Sequence, residues 1–277
     1  MLRRLCSTIL TFTSAAAILA HTKALPAQET RASNWRIMSG AAVLVLPEYA
    51  GSDEYRALPL PITEITYRDR LYLGPSRNGL GIALGTYAVR TPQFDVAIEV
   101  GGQSDRRASR ADALAGMDNR DWAAAAGASM TYRTGPLEAR AGVVRGFNDG
   151  SGTLGNTTLS LSRPLGRFIP TVGLGATFAD ARQMRRDFGV TPAEASRRQS
   201  LIDGGDRRLR PDEGSAYRPN AGLHHVSGTL SVIYVLSRRW AILSIGGVDG
   251  LSGKAQDSPI VRRREQYWGI TGLAYQF

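Results

Sequence analysis

Apolar and polar residues alternate along most of the chain after Asn34. One face of segment 94–100 is apolar and carries Phe94, Val96, Ile98 and Val100. The other face carries Asp95, Ala97 and Glu99. Side chains two residues apart lie on the same face of a β-strand, so this period predicts strands with one apolar face. The pattern recurs in 137–143 and, less strictly, in 226–236. A sandwich with a buried core would alternate in the same way, so alternation alone does not choose the architecture.

The alternating segments predict twelve strands joined by connections of unequal length. The predicted strands are 35–46, 57–68, 70–74, 79–90, 93–102, 121–133, 137–147, 153–163, 168–179, 222–236, 239–249 and 267–277. Short connections fall at 69–70, 91–92, 134–136, 164–167 and 237–238. Longer ones mostly fall between them, at 47–56, 103–120, 180–221 and 250–266. Short turns at one end and long loops at the other are typical of bacterial outer-membrane barrels, which have an even number of strands.

We therefore expect an all-β fold: a transmembrane, antiparallel, up-and-down β-barrel of about twelve strands in the cell outer membrane. The long loops would lie outside the cell. A membrane-spanning strand needs roughly 9–11 residues, and the predicted strand 70–74 is shorter than that. A barrel of ten strands is therefore the alternative.

The N-terminus has the pattern of an export signal. Arg3 and Arg4 precede an apolar run at 5–20, and the small residues Ala24 and Ala27 follow it. This order predicts a secretory signal peptide over residues 1–27 and a barrel over residues 28–277. Cleavage near Ala27 would also remove the single cysteine, Cys6. The mature chain would then have no thiol, which suits an oxidising compartment.

Aromatic residues mark the predicted strand ends and the C-terminus. Leu273, Tyr275 and Phe277 share one face of the last strand. A terminal aromatic residue behind alternating apolar ones resembles the segment that the barrel-assembly machinery recognises, so this machinery is a predicted partner. Tyrosine and tryptophan near strand ends favour interfacial girdles, with ordinary packing as the alternative. These residues are Trp35, Tyr87, Trp122, Tyr132, Trp240 and Trp268.

The chain carries a formal net charge of +10, and arginines are concentrated in the predicted outer loops. Guanidinium groups pair bidentately with phosphates, and an exported protein does not normally meet nucleic acid. Outer-membrane lipid and lipopolysaccharide are therefore the predicted partners, and no nucleic acid is expected. The alternative is that the charge only keeps the loops solvated. The candidate lipopolysaccharide-contacting residues are Arg185, Arg186, Arg207, Arg208, Arg262, Arg263 and Arg264.

No segment of the sequence predicts catalysis, a cofactor or a metal. His224 and His225 are adjacent in a predicted strand and should point to opposite faces, as solvated residues at a loop edge. Residues 203–206 lack the oxygen ligands of a calcium loop and predict an external turn. No nucleophile elbow or acid–base set stands out among the serines and acids. We therefore expect a protein that is not an enzyme.

Several short motifs resemble those of the MltA-interacting protein (MipA)/OmpV family of outer-membrane proteins. The first loop carries Tyr49, Gly51, Ser52 and Tyr55, in the order of that family's early motif. Further matching segments are 58–61, 71–73, 188–190, 217–223 and 257–261, although Asp187 replaces an expected aromatic residue. The resemblance implies a scaffold between a lytic transglycosylase and a penicillin-binding protein, or surface functions such as adhesion and altered permeability. The first-loop motif itself predicts either a structured rim or a docking surface.

Two functions follow from these observations. The first is a non-enzymatic interaction role at the cell envelope, and the alternative is a passive, porin-like channel for small solutes. Charged residues that face the lumen would either line a path or pair and close it; they are Asp95, Glu99, Glu138 and Arg140. Small inward residues leave room for a path; they are Gly79, Gly81, Ala83, Gly85, Gly101 and Gly142.

Overall fold

The computed structural model describes residues 34–148 and 150–277, and within them twelve antiparallel strands close into one barrel. The strands are β1 (Trp35–Pro47), β2 (Tyr55–Tyr67), β3 (Leu71–Pro75), β4 (Ile82–Arg90), β5 (Phe94–Gln103), β6 (Ala123–Thr134), β7 (Leu137–Gly146), β8 (Thr153–Ser162), β9 (Phe168–Ala179), β10 (Gly222–Val235), β11 (Trp240–Leu251) and β12 (Glu265–Gln276). Each strand pairs with its neighbours in sequence, and β1 pairs with β12 from Met38↔Gln276 to Val45↔Gly269. The prediction of a twelve-strand barrel is confirmed. The predicted signal peptide lies outside the described residues.

The two faces of the wall have the predicted polarity. Ile98 and Val100 are 50% and 52% exposed on the outside, whereas Asp95 and Glu99 are buried in the lumen. Exposed apolar side chains recur on the outer face of the other strands. Such a band needs a lipid environment because it would be costly in water. None of the helices within residues 34–148 and 150–277 has the length and apolar character needed to cross a bilayer.

The two ends of the barrel differ. At one, here named the turn end, short connections join the strands at 68–70, 91–93, 135–136, 163–167 and 236–239. At the other, the loop end, the connections are 48–54, 76–81, 104–122, 147–152, 180–221 and 252–264. The longest of these contains helices α1 (Ala181–Phe188) and α2 (Pro192–Asp203). Asp180 caps α1, and Thr191 with Glu194 forms a capping box on α2.

The wall is incomplete between β2 and β4 near the loop end. β3 pairs with β2 only at Ile65, Thr66 and Tyr67, so most of β2 has a free edge on that side. Pro59 and Pro61 lie in this part of β2, and proline is tolerated at an edge because it has no N–H to donate. The backbone N–H of Asp112 donates to the Glu54 carboxylate at 2.8 Å. Loop 104–122 therefore reaches across to the first loop above the free edge.

Of the six residues predicted to form an aromatic girdle, four lie on the outer face and two do not, so an interfacial position stays a prediction for the four. Trp35, Trp122, Tyr132 and Trp240 lie on the outer face and are all exposed. Tyr87 and Trp268 are 8% and 9% exposed and point into the lumen. Each shares strand parity with an inward residue two positions away, Gly85 and Gln266 respectively. Residue type suggested a girdle, but the period of two placed these rings inside.

Candidate functional site

The connection between β3 and β4 folds into the barrel instead of projecting from it. We name residues 76–81 the inward loop. Ser76, Arg77, Asn78 and Leu80 are buried there. Gly79 and Gly81 have φ angles of +84° and +71°, which a residue without Cβ adopts at little cost. These two glycines were predicted to open strand 79–90, but they belong to the inward loop, and β4 begins at Ile82.

Glu99 on β5 holds the inward loop in place. Its carboxylate accepts hydrogen bonds from the Tyr72 hydroxyl at 2.5 Å and the Ser76 hydroxyl at 2.6 Å. It also accepts from the Arg77 backbone N–H at 2.6 Å and the Asn78 side-chain amide at 3.1 Å. Four donors satisfy a carboxylate that is 1% exposed. The loop is therefore anchored to the wall by one buried carboxyl group.

The small residues of the wall make room for this loop. A Cβ added to Gly142 would lie 2.1 Å from the Asn78 side-chain oxygen, and one on Gly101 would lie 3.1 Å from the Leu80 Cβ. At Gly85 the Tyr72 ring occupies the same kind of space, 2.3 Å from an added Cβ. The sequence correctly indicated space next to the wall. The chain itself fills that space, so these glycines do not line an open path.

The long loops close the lumen from the loop end. Met184 and Phe188 of α1 are fully buried and pack in one cluster with Leu80 of the inward loop and Val144 of the wall. A second cluster joins four connections and contains Tyr49, Leu114, Met117, Val190 and Ile260. The outer part of the lumen is thus occupied by two apolar clusters.

Arg198 of α2 binds the outer loops to each other. Its side chain is fully buried, and its guanidinium donates to the backbone oxygens of Glu213 at 2.7 Å and of Ala113 and Ala115 at 2.6 and 3.0 Å. Burial lowers the pKa of Arg198, and the Glu213 carboxylate opposes that effect. The loops 104–122 and 180–221 are therefore one folded layer.

The first-loop motif lies inside this layer. The Tyr49 hydroxyl donates to the Ile260 backbone oxygen at 2.6 Å. Gly51, with a φ of +105°, donates its N–H to the Gln266 side-chain oxygen at 3.0 Å. Ser52 is fully buried, and the Tyr55 hydroxyl accepts from the Tyr267 N–H at 3.2 Å. These contacts make the motif part of the folded rim beside β12.

The seven candidate lipopolysaccharide-contacting arginines lie in different surroundings. Arg186 donates to the backbone oxygens of Ser104 and Asp121, and Arg262 pairs with Glu213 at 2.7 Å, so both are committed to contacts within the protein. Arg208 is exposed and pairs with Asp206 at 2.7 Å. Arg207, Arg263 and Arg264 are exposed and Arg185 is half-buried. Lipopolysaccharide contact stays a prediction for all seven, and the exposed ones among them have the fewest contacts within the protein.

The C-terminal segment has the predicted face. Leu273 and Phe277 are exposed on the outside, and Tyr275 lies between them with its ring 4.8 Å from that of Phe277. The Phe277 N–H donates to the Ile37 backbone oxygen at 3.0 Å, which helps to close the barrel. Recognition by the barrel-assembly machinery stays a prediction.

The prediction for His224 and His225 is wrong. The two residues are 6% and 7% exposed, and their Nδ1 atoms are 2.8 Å apart. His224 Nε2 also lies 3.1 Å from a carboxylate oxygen of Asp187. A register shift between Leu223 and His225 brings adjacent side chains to one side. Within the described ranges, no group of three or more histidine, cysteine or acidic residues is arranged to hold a metal ion.

Exposed arginines surround the turn end, a feature that sequence reasoning did not single out. We name this set the arginine rim: Arg36, Arg68, Arg70, Arg90, Arg163, Arg167, Arg238 and Arg239. Among the described residues of these turns and strand ends, Asp69 is the one exposed acid, and it pairs with Arg36 and Arg90. The signal was present in the sequence, because each short predicted turn has an arginine in it or beside it.

Comparison with solved structures gives only distant similarity. The NanC porin is 6% identical with a TM-score of 0.42, covering 87% of this chain and 100% of that one. OprB of Pseudomonas putida is 9% identical with a TM-score of 0.41, covering 88% and 94%. The channel DcaP of Acinetobacter baumannii is 9% identical with a TM-score of 0.37, covering 90% and 99%. The pairing of all twelve strands with their neighbours defines the fold.

Sequence comparison is more informative. No curated protein matches the chain. Residues 39–277 match the family described as MltA-interacting protein MipA. The matched range covers all twelve strands except the first residues of β1. The resemblance seen in the short motifs is thereby confirmed over nearly the whole barrel. The chain is an outer-membrane β-barrel, and it belongs to the MltA-interacting protein MipA family.

Proposed function

We propose that this barrel is a non-enzymatic interaction protein whose arginine rim docks a murein-degrading lytic transglycosylase in the periplasm. Short turns of outer-membrane barrels lie on the periplasmic side, so the rim is expected there. The observation that carries the proposal is the charge of this rim, with eight exposed arginines against one exposed acid. Such a patch attracts an acidic protein surface and accelerates association with it.

The filled outer lumen supports a role based on surfaces. Glu99 anchors the inward loop, and α1 packs over it through Met184 and Phe188. A barrel occupied in this way offers its rims, not its interior, to a protein partner. The family's name refers to a lytic transglycosylase partner. A penicillin-binding protein joined through the same complex is part of the proposal. The periplasmic turns are short, so docking would rest on charge spread around the rim and not on one large loop.

A binding experiment with charge-reversed variants tests this proposal. The purified barrel in detergent is titrated with a lytic transglycosylase by biolayer interferometry. The triple variant R163E/R167E/R238E removes three rim charges whose side chains have no partner among the described residues. We expect its dissociation constant to rise at least about tenfold, or roughly 1.4 kcal/mol. Added salt should weaken wild-type binding, because exposed charges are screened.

The matched control reverses three exposed arginines at the loop end, in the triple variant R207E/R263E/R264E. It should bind as the wild type does. Equal loss in both triples would mean that net charge matters and the rim does not. Unchanged binding in the rim triple, or no wild-type binding to any transglycosylase tested, would overturn the proposed docking surface.

A passive channel is the second candidate, and the polar inner wall favours it. Thr131, Thr171 and Ser231 are buried and point into the lumen towards the turn end. A solute path would still have to pass the inward loop and α1. Ion conductance of the refolded protein in planar bilayers separates the two functions. Steady single-channel steps from the wild type would favour the channel, and electrical silence would favour the interaction role.

The exposed outer arginines give a further surface proposal, contact with lipopolysaccharide phosphates. Arg207, Arg263 and Arg264 are suitably placed because they are exposed at the loop end. The R207E/R263E/R264E variant used above also tests this contact. It should bind immobilised lipopolysaccharide less tightly than the wild type, and equal binding would contradict the idea.

A further inference from the structure

A small cavity lies under α1 at the loop end of the lumen. Its volume is about 70 Å³, and its lining includes Gln103, Arg106, Arg120, Gln183 and Arg186. A buried water needs roughly 10–15 Å³ of such space. The cavity therefore has room for several waters or for one small tetrahedral ion.

The lining contains buried donors that the protein does not satisfy. Arg106 is 9% exposed, and its Nη1 donates to the Asp187 backbone oxygen at 2.9 Å. Its Nε and Nη2 have no hydrogen-bond partner among the described residues, and neither do the Arg120 Nε and both amide atoms of Gln103. Buried polar groups are normally paired because an unpaired one loses its hydration without compensation. Four unpaired donor nitrogens thus belong to residues that line one cavity, beside two unpaired acceptors, the Gln103 side-chain oxygen and one Glu48 carboxylate oxygen.

The arginine side chains are held in position by the backbone. Arg106 and Arg120 form an antiparallel bridge in which each N–H donates to the other's backbone oxygen at 2.8 Å. Directly opposed residues of such a bridge have neighbouring side chains. Nε and Nη2 lie on the same edge of the guanidinium, the edge that binds two oxygens of one phosphate or carboxylate. The unpaired edge of Arg106 therefore has the geometry for an oxyanion.

The charges around the cavity also favour an anion. The acids in its lining are engaged elsewhere: Asp105 with Arg107 at 3.0 Å, Glu48 with Arg56 at 3.4 Å, and Asp187 with His224 at 3.1 Å. Arg106 and Arg186 form no ion pair among the described residues, so these two guanidinium groups of the lining have no carboxylate of their own. Burial and the adjacent Arg120 lower the pKa of Arg106 to about 10. The guanidinium is therefore still charged at neutral pH.

We propose that this cavity binds a phosphate group through the Nε and Nη2 edge of Arg106, assisted by the Gln103 amide and the Arg120 Nε. The group is either free inorganic phosphate or a phosphate on a lipid A headgroup, since both present the same oxygens. Binding pairs the buried donors and neutralises the adjacent guanidinium groups. The site is separate from the arginine rim, which lies at the other end of the barrel.

Calorimetric titration of the folded barrel in detergent with inorganic phosphate tests the proposal, with sodium chloride of equal ionic strength as the blank. We expect saturable binding by the wild type and at least a tenfold weaker affinity in Arg106→Gln. Arg106→Lys should also bind more weakly, because lysine keeps the charge but has no two-donor edge. The control Arg207→Gln changes an exposed arginine of the same long loop as α1 and should bind as the wild type does.

Absence of saturable wild-type binding overturns the proposal, and so does wild-type affinity in both Arg106 variants. A heat-modifiable gel shift verifies that each variant is folded. If Arg106→Gln does not fold, Arg106→Lys and the wild-type titration decide. Phosphatidylcholine vesicles with and without lipid A then identify the source. Displacement of phosphate only by the lipid A vesicles indicates a headgroup ligand, and binding without displacement indicates free phosphate.

Discussion

Glu99 shows how one residue sets the state of the lumen. Its carboxylate accepts from Tyr72, Ser76, Arg77 and Asn78. A carboxylate placed in such a site without donors would be strongly unfavourable. The donors depend equally on the carboxylate, because each is buried.

We expect Glu99→Ala to lower the free energy of unfolding by about 3 kcal/mol, since it leaves several buried donors unpaired. Glu99→Gln keeps one acceptor oxygen and should lose less. Urea unfolding in lipid vesicles, followed by tryptophan fluorescence, measures both changes.

Glu265→Ala is the control for this change, because Glu265 is an exposed acid at the loop end of β12. It should alter stability by no more than about 0.5 kcal/mol. Similar losses in Glu99→Ala and Glu265→Ala would mean that the anchoring of the inward loop contributes nothing measurable.

The pattern of apolar and polar residues predicted the face on which a side chain lies better than it predicted the groups that the side chain contacts. The period of two correctly placed Glu99 and Arg140 inside, because parity is a local property of a strand. It could not reveal that Asn78, from a connection, would meet Glu99. The prediction for His224 and His225 was wrong for a related reason. A bulge between Leu223 and His225 changes which face each side chain lies on, and no residue type next to it indicates a bulge.

At the scale of elements, α2 joins two outer loops through its first turn. The Glu194 carboxylate accepts from the Thr191 N–H at 2.8 Å and from the Asp118 N–H at 3.0 Å. It also pairs with Arg120 at 3.2 Å. Burial acts to raise the pKa of Glu194, but these hydrogen bonds and the Arg120 charge outweigh it, so the pKa falls below the usual 4.5.

A depressed pKa stabilises the fold above the unfolded-state value, and that stability is lost as the pH falls through the folded-state value. We therefore expect α2 and loop 104–122 to loosen below about pH 4.5. Amide hydrogen exchange, corrected for intrinsic rates, should show lower protection of residues 191–203 at about pH 3.5 than at about pH 6.

Glu194→Gln provides the comparison for this pH effect. It should reduce protection of the same residues at neutral pH and remove most of the pH dependence. Protection in the wild type that is equal at both pH values, or a variant that keeps the full pH dependence, would count against the role of Glu194.

Elements were predictable from sequence to different degrees. Every predicted strand was found, with ends within about three residues, because apolar alternation is strong where one face meets lipid. The helices were missed inside the region read as loop 180–221. Thr191, Pro192 and Glu194 form a recognisable helix start with a capping box and an early proline. That signal was available before the structure.

At the scale of the whole molecule, closure depends on the inward loop. The Ser76 N–H donates to the Gly81 backbone oxygen at 2.7 Å, one step beyond the paired Pro75 and Ile82. A two-residue Asn-Gly turn between Ser76 and Gly81 can therefore replace residues 77–80 and keep the hairpin, because this turn suits two-residue β-hairpins. We expect the wild type to be silent in planar bilayers and the shortened variant to conduct, since the core beneath α1 loses its lower support.

The conductance prediction needs a folding control and has one contradicting outcome. The shortened variant must show the same heat-modifiable gel shift as the wild type, which verifies a closed barrel. Silence in a folded variant would show that the outer loops close the lumen without help from the inward loop.

Because β3 is short, the number of strands in a cross-section depends on its height along the barrel axis. A cross-section near the turn end cuts all twelve strands. Above Pro75 and Ile82, where β3 ends and β4 begins, a section cuts only β1, β2 and β5 to β12. The wall therefore loses one hairpin towards the loop end, where β2 and β5 are not paired with each other. A single strand number describes the turn end of this barrel and not its full height.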